Sequence, residues 1–276
     1  MKKYRLFLIF AALLTAAFSP VLVELVRFAL NSELFSYILL VPFISAYLIR
    51  TRKADIDGSE KGVRWPSAIA AAIGFGFLAF HGSPETILSC RILAYCCLLW
   101  SGGIYFLGMG NMRRLSFPAA FLVFMAPIPK SILAAMEEGL RAMSAETAYR
   151  FIHWSGIPVL RSGYDFHMPR ISLSVAQECS GIRSTLVLFM TSLIAGRLFL
   201  RNVWLRSAFA FIVIPLGIAR NAFRILVLAV LCVRFDTSFI DSAVHHQGGP
   251  LFFALSMIPF GLVLFGMRRL EKRGVK

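Results

Sequence analysis

The chain has 276 residues, of which 58% are hydrophobic and 26 are Phe, with a mean hydropathy of +0.73 and a formal net charge of +15. This excludes an ordinary soluble domain, because the apolar residues come in blocks long enough to cross a bilayer, with Lys and Arg clustered between them. That placement also argues against nucleic acid as the partner, since the charge lies between apolar blocks rather than along one soluble face.

In chain order, the opening stretch MKKYRLFLIFAALLTAAF has the charged start and apolar body of a signal peptide. Pro20 and Glu24 follow directly, where a mature N-terminus would have to begin, so it reads as an uncleaved first span. Apolar windows predict spans near 6–24, 34–50, 66–81, 90–108, 116–129, 181–198, 207–232 and 250–267. The expected fold is all-α, a single integral membrane domain over residues 1–276 with about eight transmembrane helices. An even number of spans returns both termini to one side. Lys2, Lys3 and Arg5 mark that side at the start, followed by Arg50, Arg52, Lys53, Lys61 and Arg64 and then by Arg113 and Arg114. Arg197, Arg201 and Arg206 mark it between spans six and seven, and Arg268, Arg269, Lys272, Arg273 and Lys276 mark it at the end, so that 18 of the 29 basic residues fall there. By the positive-inside rule this side is cytoplasmic, and the chain is expected in the cytoplasmic (inner) membrane.

Residues 130–178 then form the longest outside segment. KSILAAMEEGLRAMSAETAYRFIHW carries Ile132, Leu133, Met136, Leu140, Met143 and Ala148 at helical spacing, which predicts an amphipathic helix at the outer interface. The Gly and Pro punctuation and the alternation ISLSV that follow predict a short extended or hairpin segment. There is no internal repeat and no low-complexity tract.

Three polar clusters break the apolar pattern near the outer face: Glu178, Cys179, Ser180 and Arg183 at the start of span six, Arg220, Asn221 and Arg224 in span seven, and His245 and His246 before span eight. Cys90, Cys96, Cys97 and Cys232 lie in or beside apolar runs and read as small core residues. Arg224 follows Ser207 by 17 residues, about 25 Å at 1.5 Å per residue, which sets it in the outer half of the membrane at the depth of Cys179. An arginine there faces a bundle interior or cavity, or snorkels to phosphate, and Arg220 has the same choice. Pro215 and Gly217 are expected to bend the helix and open space around these residues.

The three clusters together can carry covalent catalysis. A thiol at a helix N-terminus beside arginine is biased toward thiolate, a histidine can move protons, and Arg224 can hold an oxyanion. Two other readings use the same residues. An anion or proton-coupled transporter would need Arg220, Arg224 and His245 but not Cys179, and a lipid-modifying enzyme would hold a phosphate with Arg183 and Arg224.

The residues ECSGIR around Cys179, NAFRI with Asn221 and Arg224, and HHQGGP before the last span resemble the exosortase and archaeosortase family of multi-pass membrane transpeptidases. APIP at 126–129 and GIPV at 156–159 are similar to proline landmarks of that family, and the resemblance runs over roughly residues 34–267. It implies a cysteine peptidase that cuts a C-terminal sorting tail of exported proteins, consisting of a Pro-containing motif, a transmembrane helix and a basic cluster as in PEP-CTERM signals. The acyl group would pass through a thioacyl enzyme to an amine-bearing surface acceptor. The resemblance assigns Cys179, Arg224 and His245 as catalytic, with Asn221, His246, Arg183, Glu178 and Ser180 in support. The His-x-x-x-Gly spacing to Gly249 favours His245, and His246 stays open. Membrane lipids are the surrounding partner. No cofactor, metal or nucleic acid is implied.

The threading is tested by substituted-cysteine labelling in intact cells, in a background lacking the native cysteines. Asp165→Cys should react with an impermeant maleimide from outside, and Asp57→Cys should react only after permeabilisation. Labelling at position 57 in sealed cells would overturn it.

Overall fold

The computed structural model describes residues 2–51, 60, 62–169, 171–175, 180–235 and 249–273. They form two compact units, residues 1–132 and 133–276. In the first unit the expected span 6–24 is not one helix. Pro20, which has no N–H to donate, starts a second helix, so α1 (Lys2–Ala17) and α2 (Ser19–Leu30) meet at a 66° bend. The expected span 34–50 opens as a 3₁₀ segment, Ser36–Leu40, and continues as α3 (Val41–Thr51). Next come α4 (Arg64–Leu78) and α5 (Pro84–Leu107). Ser83 caps α5 by accepting from the Thr86 N–H at 3.4 Å, and Gly108, at φ +90°, ends it.

α4 and α5 pack closely because small polar residues let them. The Ser67 hydroxyl donates to the Ser101 carbonyl at 3.0 Å and the Ser101 hydroxyl to the Ser67 carbonyl at 2.9 Å, so neither buried hydroxyl is left unpaired. Cys90 and Cys96 are buried free thiols and Cys97 is partly buried, in keeping with a packing role. The expected span 116–129 is shorter than a span: α6 (Met109–Arg114) and α7 (Ser116–Phe121) lead into a 3₁₀ turn, Leu122–Met125, which the Pro-rich APIP terminates.

The expected amphipathic helix is α8 (Lys130–Trp154). Its buried face is Ser144, Ala145, Ala148 and Ile152, whereas Ile132, Met136 and Met143 of the apolar stripe are exposed. In the second unit the hairpin expectation is met by a three-stranded antiparallel sheet, β1 (Leu160–Ser162), β2 (Asp165–His167) and β3 (Ser172–Ser174). Phe166, fully buried and in register with Arg161 and Leu173, joins Ala145, Ala148 and Ile152 of α8 in one core. Ala222 and Ala229, from the long helix Val203–Arg234, complete this core.

α9 (Ile182–Phe199), α10 (Val203–Arg234) and α11 (Gly249–Arg273) build the second core around Leu188, Phe209, Val213 and Phe260. The Phe209 and Phe260 rings lie 4.9 Å apart. α10 runs through Pro215 without a break, and Gly217 is filled rather than opened: a Cβ there would stand 2.6 Å from Thr185 Oγ1 of α9. The expected gap around Pro215 and Gly217 is therefore a close helix contact. At the far end of α9, the Glu271 carboxylate of α11 accepts from the backbone N–H of Arg201 at 2.9 Å and from that of Asn202, tying the α9–α10 connection to α11.

The protein is an all-α polytopic membrane protein. Among the described residues α5, α9, α10 and α11 are long and apolar enough to span a bilayer, and two bent helix pairs raise the count to six. On α11, Leu251, Leu255, Ile258, Leu262 and Phe265 form an exposed apolar stripe at helical spacing, suited to contact with lipid.

The α9–α10 contact gives a stability test. Gly217→Ala should destabilise the protein by about 1–3 kcal/mol, seen as a lower melting temperature in detergent. Adding Thr185→Ala, which removes the opposing atoms, should recover most of the loss, whereas additive losses would place the defect elsewhere.

Candidate functional site

Of the residues singled out from sequence, Glu178, Cys179, His245 and His246 lie outside the described residues. Ser180, Arg183, Arg220, Asn221 and Arg224 are described, and the structure brings most of them to one place, the first turn of α9. Gly181 caps that helix in the left-handed region, φ +73° and ψ 12°, where a side chain would be strained. Space also demands glycine. A Cβ at 181 would stand 3.2 Å from Asn221 Cγ and 3.3 Å from Arg220 Nη2.

The Gly181 carbonyl is heavily engaged. It accepts from the Thr185 N–H at 3.0 Å, the Thr185 hydroxyl at 2.9 Å and the Ser184 hydroxyl at 3.0 Å. Arg220 Nη2 donates to the Ser184 hydroxyl and reaches the same carbonyl at 3.4 Å. Thus Arg220 turns inward onto α9 instead of snorkelling. Its Nη1 is buried and, among the described residues, has no hydrogen-bond partner. Ser180 and Asn221 are each 3% exposed, so the turn is sealed on the α10 side by Asn221.

Arg224 follows Arg220 by one helical turn on α10, about 6 Å along the axis, and is partly buried. Arg183 lies on an exposed face of α9. The structure therefore separates the arginines: Arg220 belongs to the α9 turn, Arg224 sits a turn beyond it, and Arg183 points away from the buried side.

On the upstream side, β3 leads toward residue 179. The buried Val175 is fixed twice, its N–H donating to the Tyr164 carbonyl at 3.0 Å and its carbonyl accepting from Arg141 Nε of α8 at 2.6 Å. The Arg141 guanidinium lies 3.8 Å above the Tyr164 ring. The Tyr164 hydroxyl donates to Glu138, and that bond pushes the phenol above its usual range.

Sequence reasoning passed over Gly181, Ser184 and Arg141. A glycine opening an apolar helix behind a polar cluster, with a hydroxyl three residues later, was a readable sign of a special cap. Nothing in the spacing of α8 pointed Arg141 at Val175, because that contact depends on how the sheet folds back.

A family model described as transmembrane exosortase matches residues 29–262. No curated protein and no solved structure matches the chain. The matched stretch takes in all of α9 and α10, the turn at Gly181 and both arginines that follow it. With most of its length covered in this way, the chain belongs to the transmembrane exosortase family.

Proposed function

We propose that the chain is a membrane cysteine transpeptidase acting on exported proteins that end in a sorting tail of a Pro-containing motif, a transmembrane helix and a basic cluster. The observation that supports this most is the seating of the α9 first turn, two residues after Cys179, against Arg220 and Asn221, with Arg224 one turn further on. Cys179 Sγ attacks a peptide carbonyl of the motif, and its proton passes to His245, or to His246 if the neighbouring ring takes the role. Arg224 donates to the oxygen that gains negative charge, and collapse of the tetrahedral species breaks the C–N bond. The histidine returns the proton to the leaving amine, which departs with the substrate's helix. An amine of a surface acceptor then attacks the thioacyl carbon, a new amide forms, and the thiol is restored. Asn221, Ser180, Glu178 and Arg183 support the site, and no cofactor takes part.

The reaction belongs at the outer surface of the cytoplasmic membrane, with both termini inside. A substrate helix docked laterally would carry its scissile segment to that depth. The remaining described cysteines suit packing: Cys90, Cys96 and Cys232 are buried and Cys97 is partly so.

Cys179→Ala should abolish processing of a sorting-tail substrate, followed by mass spectrometry of the product, while Ala at Cys90, Cys96, Cys97 or Cys232 should leave it. Normal processing by Cys179→Ala would end this reading.

A second test concerns Arg224. A guanidinium stays charged and offers a fixed fork of donors, whereas lysine offers one compact charge. Arg224→Lys should therefore lower the single-turnover cleavage rate by about 10² to 10³. A near-parental rate, at matched membrane levels, would remove Arg224 from the oxyanion site.

A further inference from the structure

We propose that Arg141 and Arg220 are positioning residues that hold the two ends of the short segment carrying Cys179. The inference rests on the reading of Cys179 as the attacking group, and neither arginine has a part in the chemistry written above. Upstream, Arg141 Nε donates to the Val175 carbonyl at 2.6 Å. Downstream, Arg220 Nη2 reaches the Gly181 carbonyl at 3.4 Å and donates to Ser184, which itself donates to Gly181 at 3.0 Å. The two anchored carbonyls are six residues apart in sequence.

Each anchor is itself over-determined, as a positioning group requires. Arg141 is one helix turn from Glu138, which stands 3.9 Å from its Nη1 and takes the Tyr164 hydroxyl bond, and the Tyr164 ring lies under the guanidinium plane. The same Tyr164 accepts the Val175 N–H through its backbone carbonyl, so one residue fixes both the arginine and the strand end it grips. Arg220 is held between two acceptors of the α9 turn, where Gly181 has no room for a side chain. Charge-assisted bonds to main-chain carbonyls are about twice as strong as neutral ones and survive the change of charge nearby that an acyl transfer involves. A tenth of a nanometre of drift in a nucleophile costs about 10²-fold in rate, so anchors at both ends of so short a segment act on the attack distance directly.

The test uses full-length protein in lipid nanodiscs. Arg141→Met and Arg220→Met keep the length of each side chain without its donors, and Arg141→Lys and Arg220→Lys keep one charge and one donor group. On each, the kcat and KM for a sorting-tail peptide are measured. A nitroxide at Cys179, in a background with the other four cysteines replaced by Ala, reports local motion by electron paramagnetic resonance. Each Met variant should lose about tenfold or more in kcat with KM within about twofold and show a narrower nitroxide spectrum than the parent. The Lys variants should fall between, and they carry the test if a Met variant does not reach the membrane. Parental kcat and parental spectra in the Met variants, or in the Lys variants where these replace them, would overturn the clamp. The spectrum does not depend on activity. If Cys179→Ala retained processing while the spectra still narrowed, the nucleophile reading would fail and the anchoring would stand.

Discussion

A guanidinium a little past the middle of an apolar helix cannot be left without acceptors, and in this protein the acceptors are supplied by the neighbouring helix. Arg220 of α10 takes the Gly181 carbonyl and the Ser184 hydroxyl. Reaching them requires the two helices to come close, which Gly217 opposite Thr185 permits. It also requires a carbonyl turned toward α10 at the start of α9, which the left-handed Gly181 provides. Burying one arginine thus dictates two glycines and a hydroxyl on separate segments.

The same demand organises the segment before α9. A strand end next to a membrane-depth helix must have its backbone groups paired, and Val175 meets this with bonds to Tyr164 and Arg141. The sheet is small, yet its Phe166 is fully buried against α8 and links the arginine-bearing helix to the strand. Apolar burial sets the position of the sheet, and the two polar bonds set where its last strand ends.

Much of this was legible in the residues. The all-α membrane character followed from block hydropathy, and the starts of α9 and α11 fell within a residue or so of the expected boundaries. The helix α8 and the extended segment after it were readable from spacing and from Gly and Pro, though the buried face of α8 is not the apolar stripe that the spacing indicated. What failed was local. Pro20 was taken to lie inside one span, whereas it starts a new helix, and the 116–129 window is only a short helix and a 3₁₀ turn before APIP. Pro215 and Gly217 suggested a bend because both are helix-weakening in isolation. In place, Gly217 serves close packing. Grouping Cys179, Asn221 and Arg224 by depth relied on rise per residue, which cannot tell Arg220 from Arg224. Which of them meets the α9 turn is a matter of helix rotation, and rotation is fixed by contacts that are distant in sequence.

The carboxylate of Glu271 has a mechanical effect on the three-helix group. By accepting from the Arg201 and Asn202 N–H groups it fastens the α9–α10 connection to α11. The turn at Gly181 lies at the opposite end of α9, 18 residues and about 27 Å away, where Arg220 ties α10 to α9. α9 is thus pinned at both ends by polar bonds to its neighbours, to α11 at one and to α10 at the other, so it cannot swing about either end without breaking a bond at the opposite one.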